Sequence, residues 1–219
     1  MSSGFVHLHT HSSYSPMWGI PTLEALCQAA RTQGQDRLAL TDTNGLYGAI
    51  RFLEVAKHEG LKPILGAELV HKAHRAVLLA KTPAGYANLC RLLSARHEES
   101  TFDFIAAVAR YRAGLIILSD DLSALRTWRK DSPKDVYVEL TPGSDIQEAI
   151  TFSRRNGLSP VATTRAACLH PTDFEAHRLL RAIADNTTLS RLRPERCCAP
   201  SHWLMPQTVI ERYLPHVSE

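Results

Sequence analysis

Short apolar runs alternate along the chain with longer stretches in which apolar residues recur at helical spacing. Seven runs have the length and composition of buried strands. They lie at residues 5–10 (FVHLHT), 37–42 (RLALTD), 62–70 (KPILGAELV), 75–81 (RAVLLAK), 114–120 (GLIILSD), 135–141 (DVYVELT) and 159–165 (SPVATTR). Because helical patterns separate most of them, the order predicts βα units and a mainly parallel sheet.

The helical pattern is clearest in residues 21–34, PTLEALCQAARTQG. Leu23, Leu26, Cys27 and Ala30 stand at i, i+3, i+4 and i+7, and a glycine follows at position 34. Four later segments repeat this spacing, at residues 46–60, 85–95, 146–157 and 173–185. Seven strands with intervening helices predict an α/β fold, a closed or nearly closed (β/α) barrel. An open doubly wound sheet is the alternative, but neither a G-x-G-x-x-G nor a P-loop motif is present to favour it.

The rhythm of strands and helices ends near residue 186. Residues 187–219 contain four of the twelve prolines and break the pattern. We therefore expect one barrel domain over residues 1–186, followed by an irregular tail or linker over 187–219. The last residues, VIERYLPHVSE, stop as if within a helix, which favours a piece of a longer chain over a free-standing protein.

Composition narrows the class of protein. The 219 residues are 44% hydrophobic and 21% charged, with a formal net charge of +3, as in ordinary globular domains. A long apolar run and a secretory leader are both missing from the sequence, so we expect no membrane association and a cytoplasmic location. The five cysteines lack C-x-x-C spacing and are expected to be reduced thiols.

Polar side chains follow several predicted strands at the end where a β/α barrel carries its chemistry. His9 and His11 end the first strand, Asp42 and Thr43 follow the second, and Glu68 lies late in the third. The seventh ends in Thr164 and Arg165. Alternate residues of a strand share a face, so His7 lies on the side of His9 and His11, but deeper, where a structural role is favoured. The His-x-His pair makes a metal site about as probable as a hydrogen-bonded core.

Several longer stretches carry a family resemblance. They are HLHTHSSYSPMWGI, LALTDTNGLYGAIRFLEVAKHEGLKPILGAEL, AVLLAKTPAGYANLCRLLS, GLIILS and PVATTRAACLHPTDFEAHRLLRAI. In this order they resemble the N-terminal PHP (polymerase and histidinol phosphatase) domain of bacterial DNA polymerase III alpha subunits. TDTNGLYGA is most similar to the branch that includes the error-prone alpha-type polymerases. The resemblance covers about residues 5–210.

The resemblance implies a distorted seven-stranded, TIM-like (β/α) barrel, the PHP fold. It also implies a cluster of up to three zinc, manganese or similar ions that hydrolyses phosphoesters, a chemistry that needs many His and carboxylate ligands. His9, His11 and Glu68 match family ligand positions. Other positions depart from the family pattern: Trp18 stands for an acidic residue, Thr43 for a histidine, Arg165 for an aspartate and Ala167 for a histidine.

Three matched ligands are too few for a three-metal cluster, and Arg165 adds a permanent positive charge. Two like charges about 4 Å apart repel by roughly 4 kcal/mol at an effective dielectric near 20. We therefore expect a degenerate site without catalytic residues and without a required cofactor, which retains at most one Zn or Mn ion at His9, His11 and Glu68. Asp42, Thr43, Arg165 and His7 would form its rim. We expect Arg165 to pair with Glu68 or Asp42.

Three functions remain open. The first is a structural and interaction domain of an alpha-type DNA polymerase, a nucleotidyltransferase whose own phosphoesterase activity has been lost here. Its partners would be the rest of the alpha chain, DNA through the parent polymerase, and other replisome subunits. The second is an active metal-dependent phosphoesterase or 3′–5′ exonuclease. The third is an amidohydrolase-type barrel, against which Arg165 and the lack of histidine at the fifth and sixth strands count.

Overall fold

The computed structural model describes residues 4–213 of the chain. Six strands form one sheet in chain order, curled into a half-barrel. They are β1 (Arg37–Leu40), β2 (Lys62–His71), β3 (His74–Ala80), β4 (Leu115–Ser119), β5 (Val136–Leu140) and β6 (Ser159–Ala162). Each of the last six predicted strands is therefore present, and its boundaries differ from the predicted ones by at most three residues at an end.

The sheet is mixed. β1 pairs parallel with β2, and β4, β5 and β6 pair parallel in turn. β3 runs antiparallel to both of its neighbours, because only a short turn separates it from β2. Lys72 in this turn has a φ of 55°. The carboxyl ends of β1, β2, β4, β5 and β6 thus meet at one edge of the sheet, which is where the candidate site lies.

The first predicted strand, residues 5–10, is not a regular strand, and a closed seven-stranded barrel is not confirmed. The segment is nevertheless held on both sides. The carbonyl of His7 accepts from the amide of Ala39 at 3.0 Å, and the carbonyl of His9 accepts from the amide of Ala166 at 3.0 Å. Thr10 explains the irregularity, because its amide donates to the side chain of Thr41 instead of to a backbone carbonyl. The side chain interrupts the ladder, and only an isolated bridge to Ala166 remains.

Within residues 4–213, eight α-helices accompany the sheet. They are α1 (Leu23–Thr32), α2 (Ala49–His58), α3 (Pro83–Glu98), α4 (Phe104–Tyr111), α5 (Leu122–Asp131), α6 (Ile146–Asn156), α7 (Phe174–Ala184) and α8 (Gln207–Tyr213). The five predicted helices correspond to α1, α2, α3, α6 and α7. Side chains at the N-caps of α1, α3, α4, α5 and α6 accept backbone amides of the first turn, which fixes where these helices begin.

The apolar core has two main parts. The larger packs β2 to β5 against α3, α4, α5 and α6, with Trp128 fully buried at its centre. The smaller packs α1 and α2 against β1 and includes Leu204. None of the helices between residues 4 and 213 is both long and apolar enough to cross a bilayer.

Residues 187–213 contain one short 3₁₀ turn and helix α8, and they pack against the rest of the chain. Leu204 and Met205 are fully buried and belong to the two core clusters. The amide of Leu204 donates to the carbonyl of Cys168, and the side chain of Gln33 donates to the carbonyl of Leu204. Residues 214–219 of the predicted tail lie outside the described part of the chain.

Candidate metal centre

Two histidines and one glutamate converge at the carboxyl-terminal edge of the sheet. His9 and His11 lie in the irregular N-terminal segment, and both are fully buried. Glu68 is on β2 and is 4% exposed. The Nε2 atom of His9 is 3.4 Å from Oε1 of Glu68, and that of His11 is 3.8 Å from Oε2. One ligand atom from each residue lies within 4.8 Å of the other two.

Glu68 is held in place by neighbours on both sides. The hydroxyl of Thr43 donates to its Oε2 at 2.9 Å, and Nε of Arg75 lies 3.8 Å from its Oε1. Beyond the last paired residues of β1 and β2, an isolated parallel bridge joins Thr43 to Glu68. Thr43, the predicted rim residue at a family histidine position, thus contacts a candidate ligand and leaves the carboxylate facing the imidazoles.

The other nitrogen of each histidine is engaged. Nδ1 of His9 lies 2.6 Å from Oε1 of Glu139, at the end of β5. Nδ1 of His11 lies 3.2 Å from the hydroxyl oxygen of Ser15. That hydroxyl donates to Oδ1 of Asp42 at 2.7 Å. The predicted rim residue Asp42 therefore reaches the site through Ser15.

Arg165 is buried beside the site, although its partners differ from those expected. Its Nη2 atom lies 2.8 Å from Oδ2 of Asp120 and 3.1 Å from Oε2 of Glu139. The prediction that it pairs with Glu68 or Asp42 is wrong, because Asp120 and Glu139 end the neighbouring strands β4 and β5. The backbone of Arg165 has a φ of 45°, a left-handed conformation that turns its side chain back toward these strands.

Arg75 extends these ion pairs into a row of alternating charges. Its Nη2 atom is 2.9 Å from Oδ2 of Asp120, which therefore bridges the two guanidinium groups. Glu68 and Glu139 stand at the two ends of this row, next to the imidazoles. Three carboxylates thus face two arginines. The positive charge of Arg165 is compensated by its own partners, and the expected repulsion of a cation is correspondingly weakened.

The buried titratable groups respond to these charges. Burial alone would lower the pKa of His9, but Glu139 and Glu68 together raise it above its usual value. Burial lowers the pKa of His11 to about 3, despite the nearby Glu68. Burial opposes ionisation of Glu68 and Glu139, yet the histidines and arginines hold both pKa values below the usual range. For Asp42, burial outweighs the hydrogen bonds from Ser15 and Ser12 and raises the pKa.

The donor set fits a single divalent cation. The buried Nε2 atoms of His9 and His11 have no hydrogen-bond partner within residues 4–213, an expensive state for polar atoms that do not bind a ligand. Four ligands at about 2.0–2.2 Å from zinc stand about 3.3–3.6 Å apart in a tetrahedral site, and the three donor atoms here lie within 4.8 Å of one another. Two imidazoles and a carboxylate suit Zn²⁺ or Mn²⁺.

A cavity of about 290 Å³ opens above Glu68 and gives access to it from solvent. Its walls include Trp18, Arg75 and Arg181. Two contacts hold Trp18 in place. Its carbonyl accepts a hydrogen bond from Nδ1 of His177 at 2.8 Å, and the guanidinium of Arg181 lies over its ring. The residue at the family's acidic position therefore forms a wall of the site and offers no ligand.

The remaining predicted positions lie outside the group of three donors. His7 is fully buried, and its Nδ1 lies 3.0 Å from the hydroxyl oxygen of Thr164. Ala167 is buried without a polar side chain, and its amide donates to the carbonyl of His202. Sequence reasoning missed Ser15, Arg75, Asp120 and Glu139. Two of them carried a usable signal, because Asp120 and Glu139 are the polar residues at the ends of predicted strands.

Comparison with known proteins identifies the family. The PHP domain model matches residues 7–141, more than half of the chain. The chain belongs to the PHP family. Within this PHP domain the match includes His9, His11, Glu68 and Glu139, and it ends before Arg165.

Curated relatives of this PHP domain are bacterial DNA polymerases. It is 31% identical to the DNA polymerase III subunit alpha of Pasteurella multocida over 84% of this chain and 19% of the relative. It is 30% identical to the error-prone DNA polymerase of Symbiobacterium thermophilum over 95% of this chain and 23% of the relative. The chain thus spans about a fifth of the length of these relatives.

Solved structures support the fold. A candidate metal-dependent phosphoesterase from Bifidobacterium adolescentis matches with a TM-score of 0.52 and 13% identity, over 74% of this chain and 87% of that one. A two-domain protein from Bacteroides vulgatus, with a predicted PHP-like metal-dependent phosphoesterase, matches with a TM-score of 0.53 and 14% identity, over 74% and 51%. At this identity the likeness extends to the fold alone.

Proposed function

We propose that this chain is the PHP domain of an alpha-type bacterial DNA polymerase, with a reduced site that holds at most one divalent cation and with a mainly structural role. The observation that carries this proposal is the composition of the rim. His9, His11 and Glu68 offer three donors, whereas Thr43, Arg165 and Ala167 occupy positions at which the family resemblance expects further ligands. One ion can be held by three protein donors and water, but a cluster cannot.

The arginines support the same conclusion. Arg165 and Arg75 supply two fixed positive charges next to Glu139, Asp120 and Glu68. Removing metal ions from a buried carboxylate site leaves uncompensated negative charge, which is costly unless another cation replaces them. The guanidinium groups provide that compensation and hold the ends of β2, β3, β4 and β5 together. The site then serves the architecture of the domain.

A second candidate function, metal-dependent phosphoester hydrolysis or 3′–5′ exonuclease activity, is favoured by one observation. Glu68, one of the three donors, lines an open cavity together with Arg75, and the buried His9 and His11 lie 3.4 and 3.8 Å from its carboxylate. A divalent ion bound there would polarise a phosphate oxygen and lower the pKa of a bound water. Arg75 would bind phosphate oxygens by hydrogen bonds. Thr43 would keep Glu68 oriented through the hydrogen bond to its Oε2.

The proposed partners follow from the polymerase relatives. The rest of an alpha-type polymerase chain would pack against this domain, DNA would be contacted through the polymerase, and other replisome subunits would join them. A cytoplasmic location is part of this proposal, since the DNA of bacteria is replicated there.

Metal content and turnover test the proposal. The purified chain is loaded with Zn²⁺ or Mn²⁺, freed of excess metal, and analysed by inductively coupled plasma mass spectrometry. Hydrolysis of a single-stranded oligonucleotide and of p-nitrophenyl phosphate is then measured. We expect at most one ion per chain, lost in His9→Ala and kept in His58→Ala, whose imidazole is exposed, and we expect no turnover.

Two or three ions per chain, or turnover that His9→Ala abolishes, would overturn the reduced site and favour the second candidate function. A gain-of-ligand variant provides the complementary arm. Thr43→His, Arg165→Asp and Ala167→His together should raise the number of bound ions above one. If a single one of these changes creates activity, less of the site is missing than we propose.

A further inference from the structure

The hydrogen bonds behind His9 determine which of its nitrogens carries a proton. Glu139 is 1% exposed, and its carboxylate receives the hydroxyl of Thr163 at 2.5 Å and Nη2 of Arg165 at 3.1 Å. Facing a permanently charged guanidinium, this carboxylate is ionised and can only accept hydrogen bonds. Nδ1 of His9, at 2.6 Å, must therefore be the donor. Nε2 is then the nitrogen with the free lone pair when the ring is neutral.

The hydroxyl of Ser15 determines the same property of His11. Its single proton is donated to Asp42 at 2.7 Å, and its oxygen accepts the amide of Thr43 at 3.0 Å. The one remaining lone pair can take a proton from Nδ1 of His11 at 3.2 Å. Oγ1 of Thr43, whose own proton goes to Glu68, is a second and more distant acceptor for the same nitrogen, at 3.4 Å. His11 is therefore also protonated on Nδ1, and its Nε2 atom carries the lone pair that faces Glu68.

We infer that Glu139 and Ser15, the latter supported by Asp42, are positioning residues that fix both imidazoles in the Nδ1–H tautomer and aim both Nε2 lone pairs at one point beside Glu68. The tautomers stand on the hydrogen bonds alone, whereas the use of the lone pairs rests on the cation site proposed above. Carboxylates and hydroxyls behind a ligand histidine raise its basicity and restrict its ring orientation.

A merely structural role would not require these particular groups. A glutamine at position 139 has nearly the same shape as glutamate, and buried ion pairs add little stability over well-packed neutral residues. An amide, however, offers both a donor and an acceptor and so no longer specifies which imidazole nitrogen is protonated. The two supports also come from different parts of the chain, Glu139 from β5 and Ser15 from the loop after His11, yet they lead to the same tautomer.

The experiment compares three variants of the 219-residue chain with wild type. Glu139→Gln and Ser15→Ala each remove one support. Asp120→Asn is the matched control, because it removes the other carboxylate partner of Arg165 without contacting an imidazole. Two quantities are measured: the protonated nitrogen of His9 and His11, by ¹⁵N NMR of histidine-labelled metal-free protein at pH 9, and the Zn²⁺ affinity, by competition with a chromogenic chelator.

In wild type and in Asp120→Asn we expect both rings to be protonated on Nδ1. Glu139→Gln should give a mixture of tautomers at His9 only, and Ser15→Ala a mixture at His11 only. The affinity for Zn²⁺ should fall about 10–100-fold in each of these two variants, and much less in Asp120→Asn.

The two proposals can fail separately. Wild-type rings protonated on Nε2, or tautomers unchanged in Glu139→Gln and Ser15→Ala, overturn the positioning role whether or not zinc binds. Wild-type protein that shows Nδ1–H tautomers but binds no zinc keeps the positioning role and overturns the cation site. An equal loss of affinity in Asp120→Asn would mean that net charge, and not tautomer control, governs binding, which also overturns the role.

Discussion

Nδ1 of His9 and Oε1 of Glu139 lie 2.6 Å apart, although 130 residues separate them in the chain. The contact joins the N-terminal segment to the end of β5. Because Glu139 also binds Arg165, one carboxylate connects a candidate metal ligand to the row of charges formed by Arg165, Asp120 and Arg75.

Removing Arg165 should destabilise the domain strongly. Arg165→Met leaves Glu139 buried without its cation, which is expected to lower the free energy of unfolding by about 3–5 kcal/mol. The matched control is Arg37→Met, since Arg37 pairs with Asp36 in solvent and should contribute little to stability. Urea unfolding followed by circular dichroism measures both. Equal effects of the two substitutions would contradict the role assigned to the buried pair.

The stability of the domain should fall as the pH decreases from 6.5 to 4.5. Burial lowers the pKa of His7 to about 4 and that of His202, which also faces Arg165 and His9, to about 3. Below pH 6.5 the unfolded chain binds protons on these residues and the folded chain does not. Each residue should therefore contribute a loss of about 1.4 kcal/mol per pH unit.

Urea titrations at pH 6.5, 5.5 and 4.5 measure this slope. Carboxylates such as Glu68, whose pKa is lowered, lose their contribution only below about pH 4.5. Asp42, whose pKa is raised, binds a proton more readily in the folded chain and offsets part of the slope that the histidines produce. His7→Gln should reduce the slope, and His58→Gln, at an exposed position, should leave it unchanged. A free energy of unfolding that is constant from pH 6.5 to 4.5 would refute the prediction.

Gly19 sets the path of the loop that carries Ser15. A Cβ atom at this position would meet the backbone carbonyl of Ser12 in a severe clash. Gly19→Ala should therefore push the loop away from Ser12, cost about 1–3 kcal/mol of stability, and weaken metal binding through Ser15 and His11. Gly4→Ala is the control, because nothing lies within 4 Å of its Cβ position. Differential scanning calorimetry and the zinc competition assay would show whether the two variants differ.

Residues 187–213 should unfold together with the sheet. Leu204 is fully buried in the cluster of α1, α2 and β1, so Leu204→Ala should cost about 2–5 kcal/mol. Leu189 is 40% exposed, and Leu189→Ala should have little effect. Thermal unfolding by circular dichroism and by tryptophan fluorescence should give one coincident transition for each variant. Separate transitions would instead place a domain boundary near residue 187.

Much of the fold could be predicted, because buried strands and amphipathic helices are recognisable from the local periodicity of apolar residues. The first strand is an instructive failure. FVHLHT alternates as a strand should, but the hydroxyl oxygen of Thr41 accepts the amide of Thr10. This side chain replaces a backbone acceptor of a neighbouring strand, and the local sequence pattern does not show that it will. The reversed direction of β3 also depends on a tight turn between two strands that the sequence separates by few residues.

The candidate site was only partly predictable for a similar reason. His9, His11 and Glu68 carry strong local signals, and the structure brings them together. The charge of Arg165 predicts a carboxylate partner, but Glu68 and Asp42 were expected in that place. Its partners Asp120 and Glu139 follow from which strands are neighbours in space. Ser15 could not be chosen among the serines of HSSYSP without knowing how the loop turns.

Thr10 bridges to Ala166, so the opening residues of the chain are pinned against a segment that is synthesised much later. Contacts of this separation are slow to form, since a long loop must close before they give any return in stability. On the ribosome, a nascent chain that has not yet exposed residue 166 lacks the backbone contacts that Ala166 makes with His9 and His11. The centre is consequently among the last features of this domain to form, and metal binding follows the synthesis of residue 166 and does not guide the early collapse of the chain.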